Sequence, residues 1–369
     1  MRSLVLVKRG RFLQRASPVT RALVTGATGF LGASVARALL ERGRAVRLLV
    51  RPSSDRGNIE DLDVEIHVGD LRDAAAVSAA VEHCGEVYHV AAEYSFWSEP
   101  ERAASIYDSN VRGTANVMEA CLEHDVERVV YTSTVGTIGL GGAKPNQVFD
   151  ESSPLAEGQL SGHYKRSKLE AEKTAMAYVS QGLPLVVVNP SAPIGPWDRK
   201  PTPTGKIIVD FMRGRMPAYV DTGLNIVHVR DVAIGHVLAA ERGRVGERYI
   251  LGNRNMSLAE ILGMLGKLTN RPTPKIRIPY HVAWMAGFVS TSIANRITLR
   301  PPAIAIEAVQ MAKYKMFFSA AKAVTELGLP QTDVEQAFLD ALDWFSPRGY
   351  FDLNGGNTSP TGGRQWQSP

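Results

Sequence analysis

The sequence is poor in cysteine, with only Cys84 and Cys121 among its 369 residues. Two cysteines cannot supply the disulfide framework of a small secreted domain, so a reducing compartment is the default and we expect a cytoplasmic protein. The eight histidines follow no spacing that is typical of metal ligands, and we expect His89 and His228 to make local hydrogen bonds instead. The composition therefore gives no indication of a disulfide scaffold or of a metal site.

Long apolar runs are also missing. No stretch reaches the roughly 18 apolar residues that a membrane-spanning helix needs. The segment 282–289 is apolar enough to lie on a membrane surface, although a helix of a small lobe is the simpler interpretation, so peripheral membrane association stays open. The aromatic residues Tyr94, Phe96 and Trp97 also allow two interpretations. They could form a hydrophobic loop over a lipidic substrate, or they could be ordinary loop packing.

The excess of positive charge is concentrated at one end of the chain. The formal net charge is +5, and the first 21 residues carry several basic side chains and no acid. This distribution argues against a basic nucleic-acid surface on the folded part, so we expect no nucleic-acid partner. The basic leader 1–20 has too short an apolar run for a secretory signal and is predicted to be disordered. The tail 352–369, rich in Gly, Ser, Pro and Thr, is also predicted to be disordered.

Apolar residues make up 44% of the chain, which is enough for a sizeable core and roughly two domains. Strand and helix patterns alternate through residue 190, as in an α/β protein with a Rossmann-type doubly wound parallel sheet. We expect strands near 185–189 and 248–251 to complete this sheet. A smaller C-terminal substrate lobe should follow.

The predicted domain limits follow from this reading. The Rossmann-type domain should comprise residues 21–190 plus about 225–255, and the substrate lobe should comprise 191–224 plus 256–345. The segment 191–222 is rich in Pro and Gly, and we expect it to run over the ligand of the Rossmann-type domain as a substrate-covering loop.

A glycine-spaced turn is the first motif that indicates chemistry. Residues 22–32 read A-L-V-T-G-A-T-G-F-L-G, a short apolar strand that leads into a helix predicted over 31–42. Gly26 permits the tight turn, Gly29 lets the backbone approach a pyrophosphate, and Gly32 lets the helix pack close to the strand. The phosphates would then meet free N–H groups at the positive end of the helix dipole. The motif predicts a dinucleotide site.

The end of the next predicted strand, 45–50, indicates which dinucleotide is bound. A site for NAD usually places Asp or Glu there, where it binds the ribose 2′-hydroxyl. This chain has Arg51, followed by Pro52, Ser53 and Ser54. A guanidinium suits a 2′-phosphate, whereas a carboxylate would repel it. The sequence favours NADP(H), with NAD(H) as the second choice.

The second chemical motif is Tyr164-Lys-Arg-Ser-Lys168, within a helix predicted over 161–181 with Ser161 as its cap. Residues four apart are neighbours on a helix, so the Lys168 ammonium should lie beside the Tyr164 phenol and lower its pKa. A phenol tuned in this way can serve as a general acid and base. A hydroxyl partner is expected at the end of the strand around 129–134, where it would orient the substrate oxygen.

Taken together, these motifs resemble the extended short-chain dehydrogenase/reductase family over about residues 20–345. Within it the chain is similar to dihydroflavonol-4-reductase-like proteins, and among those it most resembles the bacterial hopanoid-associated sugar epimerases, on segments 200–211 and 214–223. The matching pieces elsewhere are 25–32, 69–71, 89–92, 110–114, 132–134, Tyr164 with Lys168, and 189–191.

The resemblance implies a nicotinamide cofactor and a role for each matching position. Tyr164 would be the acid/base, Lys168 would hold the nicotinamide ribose, and Thr134 would be the catalytic hydroxyl, with Ser133 as the second choice. Asn110 would support the Lys168 side through water. The implied cofactor-binding set is Gly26, Thr28, Gly29, Phe30, Leu31, Gly32, Arg51, Asp70, Leu71, Ala91, Ala92, Asn110, Thr132, Tyr164, Lys168 and Pro190.

Two departures from the family pattern narrow the implied reaction. Val135 and Gly136 stand where sugar dehydratases of the superfamily carry an Asp-Glu pair, so the acid for elimination is missing. Arg51 stands where epimerases of the galactose type usually hold NAD with an acid. Hydride transfer at a secondary alcohol or ketone is therefore expected, and sugar epimerisation and simple ketone or aldehyde reduction both stay open.

The expected partner is a small-molecule substrate, sugar-like or hopanoid-linked, and we expect a homodimer. An alternative of another class is a non-catalytic dinucleotide-sensing protein on the same fold. Such relatives typically lack the Tyr/Lys pair that this chain contains.

Overall fold

The computed structural model describes residues 21–93, 100–139, 147–155, 162–294, 302 and 306–353. The basic leader, Tyr94, Phe96, Trp97, Ser161 and the tail from residue 354 lie outside the described residues, and the expectations for them stay predictions. Among the described residues, no helix has both the length and the apolar character needed to cross a membrane.

A seven-stranded sheet forms the centre of the molecule, and all of its strand pairs are parallel. Its order across the sheet is third, second, first, fourth, fifth, sixth and then a late strand of the chain. The late strand and the sixth strand are those expected near 248–251 and 185–189. The strands are β1 Arg21–Thr25, β2 Ala45–Val50, β3 Glu65–Val68, β4 Glu86–His89, β5 Arg128–Thr132, β6 Leu185–Pro190 and β10 Arg248–Leu251.

Helices cover both faces of this sheet because its strands are apolar on both sides. Successive side chains of a strand alternate between faces, so Ala22 and Val24 join one buried cluster and Leu23 joins the other. The first face carries helices α1 Phe30–Glu41 and α7 Val229–Arg242. The second face carries α2 Ala74–Val81, α4 Gly113–Glu123 and α5 Gly162–Ala177. The expectation of a Rossmann-type doubly wound fold is confirmed.

Helix α3 Pro100–Tyr107 packs against α5 and continues into a wide helical turn, Asp108–Arg112, before α4.

A second group of elements forms a smaller sheet with helices packed against it. The small strands are β7 Ala192–Ile194, β8 Ala218–Val220, β9 Gly223–His228, β11 Arg254–Ser257, β12 Ile276–Ile278 and β13 Lys315–Met316. The helices are α6 Pro203–Met212, α8 Leu258–Thr269, α9 Tyr280–Ile293, α10 Ile306–Met311 and α11 Val334–Phe345. Strand β9 pairs with β7, β11 and β13, and α6, α8 and α11 share one buried cluster beside that sheet.

The segment 191–222 differs from the expected loop. It contains β7, α6 and β8, so much of it is regular structure. The prolines indicated a loop, but Pro203 occupies the first turn of helix α6. A backbone N–H has no partner within the helix at that position, so proline costs no hydrogen bond there. Thr202 caps this helix by accepting a hydrogen bond from the Gly205 N–H at 3.2 Å. Within this segment, residues 191–193 and 198–204 line the cavity described below.

Candidate active site

One cavity lies where the carboxyl ends of the parallel strands meet the second group of elements. Its volume is about 860 Å³. The residues that follow β1, β2, β4, β5 and β6 all contribute to its wall. Crevices outside the carboxyl ends of the strands are where open α/β sheets bind their ligands.

The glycine turn after β1 forms one end of this cavity. Gly26 has φ +73°, and a Cβ built on it would lie 2.6 Å from the Cα of Ala91. A Cβ on Gly32 would lie 2.2 Å from the Gly26 carbonyl oxygen, so neither position accepts a side chain. Gly29 is the N-cap of α1 and no side chain caps this helix. The first turn of α1 therefore presents its N–H groups to the cavity, a surface that fits a pyrophosphate.

The loop after β2 contributes another part of the cavity wall, where the adenosine of a dinucleotide would lie. Arg51, Ser53 and Ser54 line the cavity there, and Arg51 is exposed. The carboxyl group of Asp70, at the neighbouring strand end, is held by the Arg72 guanidinium through two hydrogen bonds of 2.8 and 2.9 Å. Those bonds outweigh the effect of burial and lower the pKa of Asp70 to about 2. Asp70 is therefore ionised and already paired.

The glycine turn is tied to the second lobe. Asn58 is buried, and its side-chain N–H₂ donates to the carbonyl oxygens of Thr28 (3.1 Å) and Trp197 (3.0 Å). The Arg37 guanidinium, on α1, lies 3.4 Å above the Trp197 ring. Trp197 holds the unfavourable φ of +79°, which these contacts stabilise. The segment that carries the cavity-lining residues 198–204 is thus anchored to the cofactor side.

The predicted catalytic residues lie on one wall of the cavity, which is built by the end of β5 and the first turns of α5 and is called the catalytic wall below. Thr134, Tyr164 and Lys168 all line the cavity, as the sequence predicted. The Lys168 ammonium donates to the Thr132 carbonyl oxygen at 2.7 Å and to the Tyr131 hydroxyl at 3.2 Å. Burial lowers the pKa of Lys168 to about 8. Its charge is therefore held against the end of β5.

The expected lowering of the Tyr164 pKa is wrong in this structure. Tyr164 is partly buried, and the removal of its phenol from water raises its pKa to about 12. The physical reason is that removal from water disfavours the phenolate, while the Lys168 ammonium is committed to the end of β5. At neutral pH Tyr164 is therefore a protonated phenol, which suits it to donate a proton.

Thr134 and Ser133 are neighbours with different surroundings. The Thr134 hydroxyl oxygen accepts the Gly136 N–H at 3.1 Å, and its own proton is donated to no acceptor among the described residues. Its carbonyl oxygen is fixed by the Asn189 side-chain N–H₂ at 3.0 Å. The Ser133 hydroxyl donates instead to the buried carboxylate of Glu172. The Thr134 hydroxyl can therefore donate a hydrogen bond to a substrate, whereas the Ser133 hydroxyl donates its proton to Glu172.

Glu172 holds the turn beneath the catalytic wall. Its carboxylate also accepts the Thr137 hydroxyl at 2.8 Å and pairs with the Arg248 guanidinium at 3.3 Å. The cluster links α5 to the turn after β5 and to β10. Because a buried carboxylate that loses a donor is costly, this cluster fixes the position of the turn that carries Thr134.

Two buried histidines hold hydroxyl groups at the strand ends. The His89 ring nitrogens are hydrogen-bonded to Thr25 at 2.8 Å and to Thr114 at 2.9 Å. His236 is hydrogen-bonded to Thr132 at 2.9 Å. Burial lowers the pKa of His89 to about 3 and that of His236 to about 4, so both rings are neutral. The hydrogen-bonding role expected for His89 agrees with these contacts, and His228 bonds to Asp340 at 2.9 Å.

Most of the residues predicted for the site line this cavity; the exception is Asn110, which lies behind the wall. Its side chain accepts the Glu93 N–H at 2.7 Å and donates to the Ser167 hydroxyl at 3.0 Å, so its contacts fix the loop after β4 to α5. The lining residues are Gly26, Thr28, Gly29, Phe30, Leu31, Gly32, Arg51, Asp70, Leu71, Ala91, Ala92, Thr132, Thr134, Tyr164, Lys168 and Pro190.

The sequence missed several residues that face the catalytic wall. Lys165 carried no motif signal of its own, although it lies between Tyr164 and Lys168 on α5. Asp198 is buried, and its carboxylate accepts the Thr202 N–H at 2.9 Å and hydroxyl at 2.8 Å. Burial raises the pKa of Asp198 to about 6 despite these bonds. Further lining residues from the second lobe include Leu224, Asn225, Met316 and Phe318.

Among the described residues, no group of acidic, His and Cys side chains could hold a metal ion.

Comparison with known proteins identifies the family of this chain. Residues 22–252 match the model of the NAD dependent epimerase/dehydratase family. A putative dihydroflavonol 4-reductase of Synechocystis sp. is 45% identical over 89% of this chain and 95% of its own length. Sterol demethylase protein B of Methylococcus capsulatus is 34% identical over 89% of this chain and 98% of its own length.

Solved structures give the same result. The crystal structure of gox2253 superposes with a TM-score of 0.79 at 42% identity, covering 91% of this chain and all of that one. A nucleoside-diphosphate-sugar epimerase from Pseudomonas aeruginosa superposes with a TM-score of 0.72 at 28% identity, covering 90% and 99% of the two chains. The chain therefore belongs to the NAD dependent epimerase/dehydratase family, as an extended short-chain dehydrogenase/reductase. It is an NAD(P)-dependent enzyme of the oxidoreductase or epimerase type.

Proposed function

We propose that this family member is an NADP(H)-dependent reductase or dehydrogenase that acts at a secondary alcohol or ketone of an apolar substrate. The observation that carries the proposal is the placement of Thr134, Tyr164 and Lys168 on one wall of the cavity whose far end is the glycine turn. A phenol, a hydroxyl and a lysine in that arrangement serve proton transfer at a carbinol oxygen.

The chemistry divides between the cofactor and the chain. A bound nicotinamide dinucleotide supplies or accepts the hydride. The protonated phenol of Tyr164 donates its proton to the substrate oxygen during reduction, and the Thr134 hydroxyl donates a hydrogen bond to the same oxygen. The Lys168 ammonium donates a hydrogen bond to the Thr132 carbonyl oxygen, which fixes it to the end of β5, and it would contact the nicotinamide ribose. The first turn of α1 would hold the pyrophosphate.

An apolar substrate is favoured by the opposite wall and by the relatives. Leu224, Met316 and Phe318 line the cavity on the side of the second lobe. The names of two relatives point the same way: sterol demethylase protein B, and a farnesyl-dihydroquinoline-oxide ketoreductase of Stigmatella aurantiaca, 30% identical over 89% of this chain. We propose a polycyclic or isoprenoid-derived substrate, and a hopanoid-linked one belongs to that class.

Sugar epimerisation is the second candidate, because the family model and the Pseudomonas aeruginosa structure carry that name. Deuterium-labelled NADPH and a set of polycyclic ketones separate the two. A reductase consumes the cofactor in proportion to product and leaves deuterium on the carbinol carbon. An epimerase interconverts nucleotide sugars with no net cofactor consumption, and that result would contradict the proposed function.

The choice of NADP(H) rests on the charges around Arg51. Two carboxylates near it are already paired, Asp70 with Arg72 at 2.8 Å and Asp55 with Arg199 at 3.2 Å. Arg51 itself has no ion pair with any residue in the described part of the chain. Its guanidinium is therefore available to a 2′-phosphate.

We expect Arg51→Asp to weaken NADPH binding by about 10- to 100-fold and to leave NADH affinity within a few-fold, because a lost charge-assisted hydrogen bond is worth about that much. Fluorescence titration of both cofactors measures it. Arg56→Asp, an exposed charge reversal in the same loop, is the matched control. A wild type that prefers NADH, or an unchanged mutant, would overturn the assignment.

The composition and exposure of helix α9 favour the proposal that the protein contacts a membrane surface peripherally. It contains no charged residue, and Met285, Phe288 and Val289 are each more than half exposed. Trp284 stacks on Phe288 with ring centroids 5.4 Å apart. Exposed Lys275 and the exposed apolar Ile276 lie just before the helix. An apolar face beside a cation fits the boundary of an anionic bilayer.

Phe288→Glu should reduce co-sedimentation with vesicles that contain phosphatidylglycerol by at least about tenfold, because a carboxylate on this face opposes both burial and the anionic surface. Val245→Glu, at an exposed valine far from α9 in the chain, is the control. We also propose a homodimer, so size-exclusion chromatography accompanies the test. A mutant that becomes monomeric without losing vesicle binding would make α9 a dimer interface instead.

A further inference from the structure

Lys165 is a buried cation, and the part of the chain that the structure describes supplies it with no counter-charge. Only 7% of its surface is exposed, and it lines the active-site cavity beside the turn that follows Thr134. Its Cε would lie 3.7 Å from a Cβ built on Gly136. Among the residues that the structure describes, no carboxylate pairs with it and no acceptor receives its ammonium protons.

This arrangement is costly in the absence of a ligand. Lysine is almost never buried unless it is paired, and an uncompensated charge in a low-dielectric site is unfavourable. Burial accordingly lowers the pKa of Lys165 from its ordinary value. The other cation of this helix turn, Lys168, is already bound to the Thr132 carbonyl oxygen, so Lys165 does not duplicate it.

We propose that Lys165 forms a subsite for an anionic oxygen group of the substrate, a carboxylate or a phosphate, close to the reacting carbonyl. The ammonium reaches the cavity on the side of Thr134 and Gly136, whereas the glycine turn and Arg51 lie at the cofactor end. A group bound there would lie a few bonds from the oxygen that Thr134 and Tyr164 engage. The substrate would then combine an apolar body with a charged substituent near its ketone.

The inference rests on the proposed function for the identity of the reacting group, but its test does not depend on turnover. The probes are α-, β- and γ-keto acids that carry a phenyl end, each compared with its methyl ester, in calorimetric titrations of the wild-type protein and of Lys165→Met. We expect one acid of the series to bind about 10- to 100-fold more tightly than its ester, the range of a charge-assisted hydrogen bond. Lys165→Met should reduce that ratio to about one.

The matched control is Lys173→Met, an exposed lysine of the same helix, paired with Glu170 at 3.4 Å. It should keep the wild-type preference for the acid. The melting temperature of ligand-free Lys165→Met should be equal to or higher than that of the wild type, since an unpaired buried charge has been removed. A drop of several degrees would make Lys165 a structural residue and overturn the proposal.

The remaining outcomes separate the two proposals. Equal binding of every acid and its ester, binding of neither, or a preference that survives Lys165→Met would overturn the subsite. If the acid preference depends on Lys165 but no ketone is reduced with NADPH, the subsite stands and the proposed reductase function fails. If neutral ketones are reduced without any preference for acids, the function stands and the subsite fails.

Discussion

Tyr164→Phe should lower turnover by about 10²- to 10⁴-fold and leave cofactor affinity unchanged, because it removes only the proton donor of the catalytic wall. Burial raises the pKa of this phenol to about 12, so the wild-type donor stays protonated throughout the neutral range. Deprotonation of Tyr164 should therefore not slow the reduction until the pH approaches 12. Alcohol oxidation, which needs the phenolate as base, should accelerate as pH rises.

The measurement is steady-state reduction and oxidation over a pH series, with cofactor affinity titrated separately. Tyr178→Phe is the control, since this tyrosine follows the same helix but does not line the cavity. A purified, folded Tyr164→Phe protein with near wild-type turnover would exclude the proposed acid/base role. Loss of turnover together with loss of cofactor binding would indicate a damaged fold instead of lost chemistry.

The parts of the site that the sequence predicted are those encoded by short local motifs. The glycine turn, the end of β2 with Arg51 and the first turns of α5 each lie within a dozen residues, and their context of strand and helix is readable from the pattern. A hydroxyl at the end of the strand was predicted in the same way, and the resemblance to the family selected Thr134. Tyr164 and Lys168, which helical spacing puts on one face of α5, both line the cavity.

The parts that the sequence could not predict depend on contacts between distant segments. Met316 and Phe318 reach the cavity because β13 pairs with β9 and Phe149 forms a β-bridge with Phe318. No local sequence pattern predicts these pairings. The direction of the Lys168 ammonium is decided by the Thr132 carbonyl oxygen, a tertiary partner that helical spacing ignores. The same holds for Lys165, because its burial and its lack of an ion-pair partner among the described residues are properties of the folded chain.

The roles of the two adjacent hydroxyls can be separated by measuring activity and stability in the same variants. Thr134→Val should lower turnover by about 10²- to 10³-fold, the effect of removing one donor to a developing oxyanion. It should also cost about 1 kcal/mol of unfolding free energy, because the Gly136 N–H loses its acceptor. Thr134→Ser keeps both functions of the oxygen and should retain most activity.

Ser133→Ala should show the opposite balance, because the Ser133 hydroxyl donates to the buried Glu172. Leaving that carboxylate short of one donor should cost about 1–3 kcal/mol of unfolding free energy, with a milder effect on turnover than Thr134→Val. Thermal denaturation and steady-state rates of the purified variants test both statements. Should Ser133→Ala abolish turnover at full stability while Thr134→Val remains active, the catalytic hydroxyl is Ser133. Glu172 would then be its proton acceptor and no longer a purely structural carboxylate.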